Sequence, residues 1–106
     1  MTKYILTIGL LDKDSHVQEI GSQHANKLVT RIVVNSIGFG TILDANGVYT
    51  HEDGTIVTEP SIRVEILDTE GAITKDKIVD IANQLKLALN QESILFEQQV
   101  ITGEFI

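Results

Sequence analysis

The sequence predicts an α+β fold in which one sheet is backed by two helices. Three observations carry this. Hydrophobic period two and period near 3.6 take turns along the chain, giving the order strand, helix, strand, short hairpin, strand, helix, strand. Each long helix lies between strands, which calls for crossover connections. The chain has 106 residues with 42% apolar side chains and no cysteine, enough for one hydrophobic core and too little for two.

The elements follow in order. Lys3 to Leu11 alternates: Tyr4, Leu6, Ile8 and Leu10 share one face, and Ile5, Thr7, Gly9 and Leu11 share the other. Both sets are largely apolar, so a strand covered on both faces is expected. Asp12-Lys13-Asp14-Ser15 is a polar break with good helix-capping residues. From Val17 the period lengthens. Val17, Ile20, Ala25, Leu28, Val29, Ile32 and Val33 make a helical stripe ending near Asn35-Ser36, with Gly21-Ser22 weakening its first turn. Residues 38–43 form a second strand. Asp44-Ala45-Asn46-Gly47 is expected to turn, because Asn-Gly favours tight hairpins. Val48-Tyr49-Thr50 and residues 55–59 then make a small hairpin around Glu52-Asp53-Gly54, with Pro60 at an edge or bend. Residues 61–68 alternate, with Ile62, Val64 and Ile66 on one face. Thr69-Glu70-Gly71 turns, and Thr74 caps a helix whose buried stripe is Ile78, Ile81, Ala82, Leu85 and Leu89. Residues 93–101 are the last strand, and 102–106 a tail.

Two interleaved β-α-β units of this kind give a ferredoxin-like split β-α-β sandwich, here with a β-hairpin inserted between core strands two and three. All of residues 1–106 are read as a single domain. Strands three and four are expected near the centre of the sheet. The face away from the helices should carry Thr7, Arg63, Glu65 and Glu97 beside Ile5, Leu11 and Leu95. Such a mixed open face suits a partner copy or a ligand, and a homo-oligomer is expected.

Composition narrows the function. Fifteen acidic against eight basic residues give a net charge of −7, which argues against a nucleic-acid binder, since that role needs a cationic track for phosphates. The acids are scattered, which disfavours mimicry of DNA. No apolar run approaches the ~18 residues of a membrane span, and no leader pattern opens the chain, so a cytoplasmic location is expected. Without cysteine there is no disulfide, thiolate nucleophile or Cys-bound metal. His51-Glu52-Asp53 points its ligand types to opposite sides of a ribbon, and His16 and His24 are too far apart to share an ion directly, so no metal or other cofactor is expected. Gly38 and Gly40 precede a strand rather than a helix, so there is no phosphate loop.

One stretch carries a resemblance. Gly40-Thr41-Ile42-Leu43, Ala45-Asn46-Gly47-Val48-Tyr49, Gly54-Thr55-Ile56-Val57-Thr58-Glu59 with Ser61, and Asn90-Gln91-Glu92-Ser93-Ile94 after a helix form a series. The series resembles a family of small bacterial and phage proteins of unknown function. Their marks are a Gly-x-Thr strand, a Gly-aromatic pair, a Glu-x-Ser strand start and a terminal Gln-Glu-Ser-Val. Tyr49 stands where the family pattern carries Trp. The resemblance covers about residues 38–100 and implies a shared fold and cleft, without a reaction.

The candidate ligand-binding residues are Thr41, Tyr49, His51, Glu59, Ser61, Arg63 and Glu92. As a ligand cleft, Arg63 takes an anion, Tyr49 stacks, and the carboxylates take hydroxyls or amines. The plainer alternative makes Glu59 and Glu92 structural acids paired with Arg63 or with turn amides. Three function classes follow. The foremost is a small-molecule-binding protein, similar in style to the accessory proteins by which phages hold a nucleotide-derived immune signal of the host as a sponge. The others are a small acid–base enzyme of isomerase or oxygenase type, and a protein-interaction inhibitor module. No catalytic set is assigned.

Overall fold

The computed structural model of the chain describes residues 1–106. Its elements are β1 (Thr2–Gly9), α1 (Ser22–Ser36), β2 (Thr41–Thr50), β3 (Ile56–Asp68), α2 (Lys75–Ala88) and β4 (Leu95–Val100). The sheet order is β2-β3-β1-β4, with every neighbouring pair antiparallel. This is the ferredoxin-like sandwich that the element order predicts. Helix α1 carries the chain from β1 past β3 to β2, and α2 carries it from β3 past β1 to β4. The central strands are therefore β1 and β3. Strand β4 lies at an edge, not near the centre as expected.

The core forms where the alternating strands meet the helical stripes. Tyr4, Leu6, Ile8 and Leu10 line up with Ile62, Val64 and Ile66, and against them pack Ala25, Val29 and Val33 of α1 and Ile78, Ile81 and Leu85 of α2. Each fully buried Ile, Leu or Val among them contributes roughly 1.5–3 kcal/mol. Only one face of the sheet is covered by helices. Ile5, on the other face, is nonetheless fully buried, because Glu65 and Glu97 flank it across the ladder. The expectation that both faces of β1 are covered therefore holds at Ile5, by neighbouring side chains, and not along the strand.

Helix α1 starts at Ser22, later than the period from Val17 predicts, with Gly21 at its N-cap and no side-chain cap. The reason is local. The carboxylate of Asp12 accepts hydrogen bonds from the backbone N–H groups of Asp14 (3.0 Å) and Ser15 (3.2 Å), and the N–H of Asp12 reaches the carbonyl of Val17 at 2.8 Å. A segment that satisfies its own backbone this way has no need of a helix.

The largest departure is in the hairpin. Asp44-Ala45-Asn46-Gly47 does not turn; β2 runs straight through it, and ten residues pair in register from Thr41↔Glu65 to Thr50↔Ile56. The single reversal lies at the tip, where the N–H of His51 donates to the carbonyl of Thr55 (2.8 Å), the N–H of Thr55 donates to the Asp53 carboxylate (2.9 Å) and Gly54 takes φ +88°. A continuous ladder satisfies more backbone groups than two reversals would. Pro60 is tolerated inside β3 because its carbonyl accepts from Leu10, so its missing N–H faces the end of β1. The expected hairpin thus exists, as a distal continuation of β2 and β3. It overhangs the end of β1 and helps draw the molecule out to 46 × 27 × 25 Å.

The β3–α2 connection hangs on Asp68, which is 4% exposed. Its carboxylate accepts from the backbone N–H groups of Glu70, Gly71, Ala72 and Ile73 at 2.9–3.2 Å, and Gly71 supplies the left-handed turn at φ +73°. Burial pushes the carboxyl pKa up, but the four N–H donors together outweigh it and hold it below the ordinary value of 3.8. Helix α2 then starts under the Thr74 cap, whose hydroxyl accepts from the N–H of Lys77. A depressed folded-state pKa stabilises the fold above the ordinary value, and that contribution is lost as pH falls through the folded one. Asp68→Asn should therefore be less stable than the parent at pH 7, with the gap narrowing below pH ~4. Urea unfolding midpoints at both pH values check this.

Candidate functional site

The face away from the helices is a register of rows. Thr41, Glu65, Ile5 and Glu97 lie side by side; so do Leu43, Arg63, Thr7 and Leu95, and then Ala45, Ser61 and Gly9. Past Gly9 strand β1 stops, while β2 and β3 continue through Gly47–Glu59 and Tyr49–Val57. The overhang has no third strand beneath it, and a cleft of about 580 Å3 forms there. That lies within the roughly 300–1,000 Å3 of small-molecule sites.

Three segments build it. The ribbon supplies Tyr49, His51, Val57 and Glu59; the β1–α1 loop supplies Asp12, Lys13 and His16; the α2–β4 junction supplies Gln91, Glu92 and Ser93. Gly9 is the floor, and a Cβ there would overlap the Glu59 carboxyl group, with its carbon only 2.7 Å away. The missing side chain of β1 is the space into which Glu59 folds. Tyr49 and His51 meet edge to face, with ring centroids 5.3 Å apart.

The two other walls are tied together. The side-chain amide of Asn90 donates to Asp12 at 2.8 Å and to Asp14 at 2.9 Å, and that of Gln91 donates to the carbonyl of Leu11 at 2.9 Å. Asn90 adopts φ +48° to do so. The Asp12 carboxyl is held below its ordinary pKa first by the Asn90 amide, then by the N–H groups of Asp14 and Ser15. Both Asp12 oxygens are thereby committed within the chain. Glu59 and Glu92 have no such partner: the ion pairs present are Lys3–Glu65 at 3.2 Å and Arg63–Glu65 at 3.9 Å. The cleft thus holds three carboxylates against one ammonium group and two imidazoles, with two of the carboxylates free.

The sequence-predicted residues divide accordingly. Tyr49, His51, Glu59 and Glu92 meet around the cleft. Thr41 borders a different hollow at the other end of the sheet, with Phe39 and Phe105. Ser61 is buried, and its hydroxyl donates to the carbonyl of Glu59 at 3.1 Å. Arg63 lies on the open face beside Thr7, its Nε 3.9 Å from the Glu65 carboxylate and without a hydrogen bond, and it pairs with neither Glu59 nor Glu92. Sequence reasoning passed over Gly9, Asp12 and Lys13; it weighed His16 only as a metal ligand, and it noted Gln91 and Ser93 in a motif without assigning them to the site. One signal was available: a glycine inside an apolar strand marks a close approach of another group. No three His, Asp or Glu side chains group closely enough to hold a metal ion, and no helix is long and apolar enough to cross a membrane.

A family model described as "Protein of unknown function (DUF3574)" matches residues 3–105. The chain belongs to the DUF3574 family. The family match takes in the N-terminal third, including Gly9 and the Asp12 loop, which the sequence motifs alone did not reach. No curated protein matches the chain. Among solved structures, a phage SAM lyase in complex with S-methyl-5'-thioadenosine is similar at 25% identity and TM-score 0.66, over 92% of this chain and 79% of that one. The phage SAM lyase in its apo state is similar at 24% identity and TM-score 0.63, over 92% and 78%. The periplasmic divalent cation tolerance protein CutA from Archaeoglobus fulgidus is similar at 13% identity and TM-score 0.55, over 99% and 88%. The last two similarities are of fold alone.

Gly9→Ala tests the seat of Glu59. The added methyl displaces only the end of a flexible side chain, so the variant should fold with a circular dichroism spectrum like that of the parent. Glu59 should leave its place, and a ligand held by that carboxylate should bind about tenfold or more weakly, which isothermal titration would detect.

Proposed function

We propose that the protein binds a small adenosine-containing thioether or sulfonium compound in the cleft beneath the ribbon. The observation that carries the reading is the similarity, across 92% of the chain, to a phage SAM lyase holding S-methyl-5'-thioadenosine. The chemistry of the cleft supports it. Tyr49 offers an aromatic face for a purine, Val57 adds an apolar wall, and Glu59 and Glu92 supply acceptors for ribose hydroxyls or counter-charge for a cation. The excess of carboxylates over cations favours a sulfonium over a nucleotide phosphate, and Arg63, the anion partner expected from the sequence, borders a different part of the sheet. Sequestration of an anionic nucleotide signal thereby gives way to capture of an adenosyl compound that is neutral or cationic.

One observation favours a second reading, cleavage of the bound sulfonium. Glu59 is half-buried with no ion-pair partner, the environment of a carboxylate kept free to accept a proton. In an elimination its oxygen takes a proton from the carbon next to the one bonded to sulfur. The C–H pair becomes a carbon–carbon double bond, and the S–C bond breaks with its electrons passing to sulfur. The cation leaves as a neutral thioether, and no further reactant is needed.

Titration calorimetry with S-methyl-5'-thioadenosine, S-adenosylmethionine and cyclic AMP tests both readings. The first two should bind and the anion should not. Glu59→Gln should cost the sulfonium about 1.5–3 kcal/mol and the neutral thioether less, as expected for loss of a charge-assisted contact. Mass spectrometry of the released ligand distinguishes the outcomes: intact S-adenosylmethionine means capture, and S-methyl-5'-thioadenosine means cleavage. Binding of cyclic AMP with no uptake of either adenosyl compound would overturn the assignment.

A further inference from the structure

The cleft does not end at Glu92. Lys13, Gln91 and Glu92 are shared with a second hollow of about 460 Å3, whose other side is made by Asn83, Lys86, Leu87 and Asn90 at the C-terminal end of α2. The charge pattern of this groove differs from that of the cleft. Its lining carries two lysines, Lys13 and Lys86, and one carboxylate, Glu92, and none of the three takes part in an ion pair within the chain. The amide of Asn90 has both its donated bonds committed to Asp12 and Asp14, which fixes the groove's floor to the β1–α1 loop that carries Lys13. Leu87 is 87% exposed at the rim and offers an apolar surface for methylene groups.

We infer that this groove takes the zwitterionic end of an α-amino acid, its carboxylate between Lys13 and Lys86 and its ammonium against Glu92. A simple anion would meet Glu92 and a simple cation would meet two ammonium groups, whereas a zwitterion satisfies all three. The groove and the cleft share Lys13, Gln91 and Glu92, so a ligand with a nucleoside in one and an amino-acid arm in the other would cross that common edge. The inference rests on the adenosyl reading for the nucleoside half; the groove's own charges carry the rest. Its consequence is discrimination. A sulfonium bearing its amino-acid arm engages two subsites, and a methylthio nucleoside engages one, so the shorter molecule leaves more readily.

The test uses the full chain and 1H–15N NMR, with L-methionine and S-methyl-5'-thioadenosine added separately. L-Methionine should move the backbone amides of Leu87, Asn90 and Glu92 and leave those of Tyr49 and Val57 in place. 3-(Methylthio)propylamine, which lacks the carboxylate, should bind about tenfold more weakly. Lys86→Gln, outside the cleft, should weaken L-methionine and leave the response to S-methyl-5'-thioadenosine unchanged, and Lys13→Gln, on the wall that both hollows share, should weaken L-methionine as well. No movement in the groove, equal binding of the amine, or unaltered affinity in both lysine variants would overturn the inference. Groove shifts with L-methionine, together with no cleft shifts from S-methyl-5'-thioadenosine, would uphold the groove and remove the nucleoside reading.

Discussion

The carboxylate of Glu59 occupies the volume that a side chain at Gly9 would fill, and the cleft depends on that substitution of one residue's space by another's. Strand β1 ends at this glycine while its neighbour continues, so the sheet passes from three strands to a two-stranded ribbon at the point where an acidic group needs room. A larger residue on the floor would push Glu59 toward solvent. The ribbon would still form, since its ladder is made by backbone groups, but the acid would no longer face Tyr49 and the junction before β4.

The opposite wall is polar and pre-ordered by different means. Two carboxylates close together, Asp12 and Asp14, repel unless something bridges them, and the Asn90 amide does so with both of its N–H bonds. The backbone bond from Lys13 to the carbonyl of Asn90 closes the same junction at 3.1 Å. Lys13, His16 and Glu92 therefore project from one rigid assembly rather than from two independent loops. Pre-ordering of this kind lowers the entropic cost of binding. It also separates the acids into two groups, Asp12 and Asp14 consumed in structure, Glu59 and Glu92 left for a ligand.

Much of the fold was legible because its signals are periodic. The alternation at Tyr4, Leu6 and Ile8, the stripe through Ala25, Val29 and Val33, and the Thr74 cap each act over short distances and met no competing force. The hairpin was misread at Asn46-Gly47 because a local turn preference, worth little by itself, lost to a ten-pair ladder in which these two residues pair with Pro60 and Glu59, beyond the reach of a local turn signal. The site was legible by half for a similar reason. Tyr49, Glu59, Gln91 and Glu92 lie in motifs and His51 lies between two of them, whereas Gly9 and Lys13 matter only through where β1 stops, and Arg63 sits two rows of the sheet away from Glu59. With Arg63 outside it, the cleft is lined by more carboxylates than lysines.

The most direct measurement is a crystal structure of the protein grown with S-methyl-5'-thioadenosine. The nucleoside should lie beneath the ribbon, its purine against Tyr49 and its sulfur on the side of Glu59 and Glu92. A ligand seated on the open sheet face beside Arg63, or in the hollow near Thr41 and Phe105, would contradict it.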